Sequence, residues 1–95
     1  MISQEKVEKA LHYLGETEEE YAQARASIKA NEHLLKAVEA GEYLSMEKGT
    51  QEHRKAAARS SQAFLDAIEN LKNAEYDYTI LAARRERAKL TISTF

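Results

Sequence analysis

Apolar residues recur along the first half of the chain at Val7, Leu14, Tyr21, Ile28 and Leu35, seven positions apart, with Ala10, Leu11, Ala24 and Val38 filling the intervening steps of three and four. That period puts one stripe on one face of a helix, and a seven-residue repeat sustained over several turns marks a coiled-coil seam. The second half is more regular still. Ala57, Ser60, Phe64, Ala67, Leu71, Ala74, Tyr78, Leu81, Arg85, Ala88, Ile92 and Phe95 follow in alternating steps of three and four. Two helices are predicted, the first over about residues 3–48 and the second over about 51–93.

The turn between them is placed by two independent signals. Gly49 suits the left-handed backbone just past a helix end, and Thr50 suits the N-cap of a following helix. The seams agree, because antiparallel helices bring together residues whose numbers share a constant sum. Leu35 with Phe64, Ile28 with Leu71, Tyr21 with Tyr78, Leu14 with Arg85 and Val7 with Ile92 all share 99, which centres the turn on residues 49–50. At about 1.5 Å of rise per residue each arm would be on the order of 65 Å long.

Tyr13, Leu34 and Leu44 on the first arm, and Leu65, Ile68, Tyr76, Ile80 and Leu90 on the second, widen both stripes. Two helices alone leave such stripes half wet, and a stripe of that width suits four helices. The expected fold is therefore all-α: two long antiparallel helices forming a coiled-coil-like helical hairpin, one domain over residues 1–95, dimerising into a four-helix bundle. The hairpin core is expected from Val7, Leu14, Tyr21, Ile28, Leu35, Phe64, Leu71, Tyr78 and Ile92. A partner protein is the alternative source of cover.

Composition supports long helices. The 95 residues include no Pro, no Cys and no Trp, so few breaks are enforced and neither a disulfide nor a thiolate metal site can form. The N-terminus lacks a signal-like apolar core, and no apolar run approaches the roughly 18 residues of a membrane span. A cytoplasmic protein with no membrane partner is the expectation.

The net charge of −2 argues against a strongly basic nucleic-acid binder, but its distribution is uneven. Residues 1–49 carry ten acids and six bases, and residues 50–95 carry six acids and eight bases. Glu16, Glu18, Glu19 and Glu20 form an acidic knot; Arg84, Arg85, Arg87 and Lys89 form a basic one. The plain reading is ion pairing between the arms that fixes their antiparallel alignment. The functional reading makes Arg84, Arg85, Arg87 and Lys89 nucleic-acid phosphate contacts, joined by Lys6 and Lys9 at the open end of the hairpin.

No chemistry is spelled out elsewhere. His12, His33 and His53 share no short ligand spacing, and the Glu-x-x-His pairs of bundle metal sites are absent from the seams. Ser60 and Ser61 face Glu39 and Val38 in the register, so neither has a histidine base. The isolated glycines make no phosphate loop. The expectation is a non-enzyme without cofactor or metal. Tyr13, Tyr43 and Tyr76 fall off the central seam, where amphipathic aromatics suit a protein interface.

The run TEEEYAQARASIKANEHLLKAV, the Gly-Thr turn and the segment AFLDAIENLKNAEYDYTILAARRERAKLTISTF resemble a group of small phage and prophage proteins encoded beside single-strand annealing recombinases and other replication or recombination genes. Members share an EALHYLAETDE-like opening, and they continue past the position of Phe95 with an aromatic, Asn- and Arg-rich tail; this sequence ends there. Secreted hairpins of the WXG type share the plan, but their Trp-x-Gly turn is here Lys48-Gly49-Thr50. The resemblance implies an accessory role in phage recombination or replication, with a phage or host protein as partner. A nucleic-acid-binding module and a modulator of a host enzyme are the alternatives.

Overall fold

A computed structural model describes residues 3–95. Among them 87% are helical and there is no strand. The helices are α1 (Gln4–Glu16), α2 (Glu18–Leu44), α3 (Gln51–Arg59) and α4 (Gln62–Ser93), of which α2 and α4 are long. The all-α expectation holds at that level. The two uninterrupted helices expected over 3–48 and 51–93 are replaced by four, because each is broken at a residue whose hydroxyl competes for backbone carbonyls.

In the first break, Thr17 donates its hydroxyl to the Tyr13 carbonyl at 2.7 Å. Its own amide still bonds the same carbonyl at 3.0 Å, so the chain stays close to helical while α1 closes and α2 opens. In the second, Ser60 and Ser61 donate to the carbonyls of Ala57 and Ala58 at 3.1 and 2.7 Å. Ser61 Oγ also accepts the Phe64 amide at 3.2 Å, the bond an N-cap makes, so α4 starts here.

The expected turn chemistry is present, but the connection is longer than two residues. Helix α2 ends at Leu44 rather than near 48, and residues 45–50 join it to α3. Ser45 donates its hydroxyl to the Glu42 carbonyl at 2.7 Å, another local bond that competes with helix. Gly49 has φ 115°, and a Cβ there would meet His53 Cδ2 at 3.0 Å. Thr50 Oγ1 accepts the His53 amide at 3.1 Å, capping α3.

The described contacts group into two compact units. One takes the chain through Ala26 together with Tyr76–Phe95; the other is Ser27–Glu75. In the first unit Ala10, Thr17, Leu81 and Ala88 are buried. Its packing is antiparallel: Tyr21 and Tyr78 stack with ring centroids 5.4 Å apart, and Arg85 meets Leu14. In the second unit Ala58, Phe64 and Ala67 are buried, and Glu39 meets Arg59 while Tyr43 meets Arg54, again in antiparallel order.

Most of the buried apolar residues are alanines, which let helices approach closely but bring little area out of water. Of the expected core, only Phe64 is buried. Val7, Leu14, Tyr21, Ile28, Leu35, Leu71, Tyr78 and Ile92 are half-buried. Each helix pair has too little interior to enclose its own seam.

Candidate functional site

The basic cluster on α4 does not act as one body. Helical spacing turns Arg85 onto the seam, whereas Arg84, Arg87 and Lys89 are exposed. Arg85 Nη1 donates to the Leu14 carbonyl at 2.8 Å and to Thr17 Oγ1 at 2.6 Å. Its guanidinium lies 4.8 Å from the centre of the Tyr21 ring. A carbonyl in the last turn of a helix carries the negative end of the helix dipole, and α1 has no basic residue of its own in that turn, so Arg85 supplies the missing positive charge. Expected as a phosphate contact, the Arg85 guanidinium here braces the break at Thr17.

Tyr21 continues the same node. Its hydroxyl and that of Tyr78 are hydrogen-bonded at 3.1 Å. That bond raises the Tyr78 pKa above its ordinary value near 10, with burial and the Tyr21 charge adding to the effect and Arg25 opposing it.

Arg84 and Arg87 instead line a groove of about 450 Å3 in the first unit, together with Lys6, Lys9, Ala10, Tyr13, Ala88 and Thr91. Two alanines make part of its lining, four cations surround it, and no carboxylate lines it. Lys89 is exposed and stands outside this lining. The ion pairs of the described residues are Lys9–Glu5 at 3.3 Å, His12–Glu16 at 2.9 Å and Arg59–Glu39 at 3.2 Å. The expected pairing of the acidic knot with the basic cluster is therefore missing, and Lys6, Arg84 and Arg87 form no ion pair among the described residues.

A second groove, of about 410 Å3, lies in the other unit and is lined by Lys36, Glu39, Ala40, Tyr43, Leu44, Gln51 and Lys55. There Arg54 lies 4.3 Å from the centre of the Tyr43 ring and donates to the Tyr43 carbonyl at 3.0 Å. The three off-seam tyrosines thus have separate settings. Tyr13 lines the basic groove and Tyr43 sits beneath Arg54, both half-buried; Tyr76 is 67% exposed. Thr17 was not singled out by the sequence, and its signal there is a hydroxyl residue just past Gly15 in an otherwise helical run.

No group of three or more His, Cys, Asp or Glu able to hold a metal occurs among the described residues. None of the described helices is long and apolar enough to cross a membrane. Comparisons with protein-family models, curated proteins and solved structures returned no match.

Proposed function

We propose that the chain is a non-enzymatic interaction protein that pairs with a second copy of itself through its incompletely covered seams, closing a four-helix bundle, and serves as an adaptor or accessory subunit. The observation that carries this reading is the half-burial of the seam itself: Val7, Leu14, Ile28, Leu35, Leu71 and Ile92 all keep part of their surface in water. Leu11, Leu34, Leu44, Leu65, Tyr76, Leu90 and Phe95 add large apolar surface, each between 48 and 75% exposed. Each Å2 of apolar area removed from water contributes about 25 cal/mol, so covering such stripes favours association. The resemblance to phage proteins points the accessory role toward recombination or replication in a host cytoplasm.

Sedimentation equilibrium tests the reading. A mass of twice the 10.8 kDa chain is expected, with Leu34→Glu and Leu65→Glu shifting it toward the single chain. A single-chain mass for the unaltered protein at tens of micromolar would overturn self-association.

A further inference from the structure

One groove of the first unit is lined by positive charge with no carboxylate in its lining. Lys6 and Lys9 come from α1 and Arg84 and Arg87 from α4, 75 or more residues apart in sequence, yet they line one groove. Only Lys9 has an acidic partner, Glu5 on its own helix, and both of those side chains are 76% exposed. Like charges brought together repel, and a cleft lined by one sign of charge over apolar walls concentrates the field and draws in counter-ions. Folding alone would not favour that arrangement. Arg85, on the seam three residues before Ala88, shows what a structural arginine looks like here: half-buried, with both carbonyl and hydroxyl acceptors.

We propose that this groove binds the phosphate backbone of single-stranded nucleic acid, with Lys6, Lys9, Arg84 and Arg87 as phosphate contacts and Tyr13 as a stacking surface for a base. Cations tracking a backbone beside an aromatic ring are the recurring means of holding single strands without sequence preference. A free strand can lay its phosphates along the open groove and turn a base onto Tyr13, whereas a duplex presents its bases only inside the stack. All of the lining residues come from one chain.

Fluorescence anisotropy of a labelled oligothymidylate, titrated with the full chain at low salt, tests the assignment. Binding is expected, weakening as salt rises with a log–log slope of about −2 to −3 for three to four neutralised phosphates. The double variants Arg84→Glu/Arg87→Glu and Arg84→Gln/Arg87→Gln should each lose affinity by about tenfold or more, while circular dichroism shows unchanged helix. Relief of the crowded charge should leave their melting temperatures equal or higher. Lys89→Glu, outside the groove, should change affinity less than about twofold, and Tyr13→Ala should cost about tenfold by loss of stacking.

Absence of binding at low salt would overturn the proposal. So would a loss in Lys89→Glu equal to that of the double variants, because binding would then follow overall charge rather than the groove. Equal affinity for a duplex of the same length, with Tyr13→Ala silent, would refute the single-strand assignment. Capture of phosphatidylserine vesicles without capture of oligonucleotide would replace it with a membrane surface.

Discussion

At the end of α1 the Leu14 carbonyl takes a hydrogen bond from Arg85, and at the end of α2 the Tyr43 carbonyl takes one from Arg54. Neither helix carries a basic residue in its own last turn. In both units an arginine from a later helix answers the exposed dipole end, lies over a tyrosine ring, and leaves its Nε buried without a partner. Beyond that shared device the units diverge in charge. The second unit mixes signs around its groove and joins Arg59 to Glu39 across helices. The first surrounds its groove with cations alone. A repeated packing solution therefore accounts for Arg54 and Arg85 but not for Arg84 and Arg87, which are exposed.

The sharpest test of the two packing schemes is removal of their large buried side chains. Phe64 anchors the second unit at 8% exposure and Leu81 the first, also at 8%. Phe64→Ala should cost about 3–4 kcal/mol and Leu81→Ala about 2–3 kcal/mol in urea unfolding. A loss below about 1 kcal/mol at Phe64 would mean that the site is wetter than described.

The arginine braces come next. Arg85→Ala removes bonds to two acceptors and the contact with Tyr21, so a loss of about 2–3 kcal/mol is expected; Arg54→Ala removes one bond and one ring contact, for about 1–2 kcal/mol. Equal costs would break the distinction between a brace at a mid-arm break and a cap at a helix end. Arg59→Ala should cost under about 1 kcal/mol, because Arg59 is 62% exposed and pairs with one partner in water are worth little.

The smallest effect belongs to Tyr78 and is seen only in alkali. Its folded-state pKa is raised above the unfolded value, so the neutral phenol is favoured by folding. The associated stability is complete below about pH 10 and is lost as pH climbs through the higher folded pKa. Ultraviolet titration should show one phenol ionising late, and Tyr21→Phe, which removes the hydrogen bond that leads the shift, should bring that ionisation earlier.

Helix content was legible because 3.6-residue periodicity depends on local spacing alone, and the pairings of Tyr21 with Tyr78 and Leu14 with Arg85 followed from register. The breaks were less legible. Thr17, Ser60 and Ser61 have ordinary polar identities, and whether a hydroxyl bonds water or bends back to a carbonyl depends on what packs beside it. The site was partly legible: clustering of Arg84, Arg85 and Arg87 is plain in the chain, but one position of difference turns Arg85 by about 100° around the helix relative to Arg84. Its neighbours then become Thr17 and Tyr21 rather than solvent.

The sequence by itself determined that this chain is helical, where α3 begins, and which faces are apolar, since these rest on spacing, on Gly49 and on the Thr50 cap. Tertiary structure alone decided which arginine became a brace and which stayed free. The reason is physical: a helix period fixes the direction of a side chain, but only the helix packed against it supplies the carbonyl, the ring or the second cation that the side chain meets.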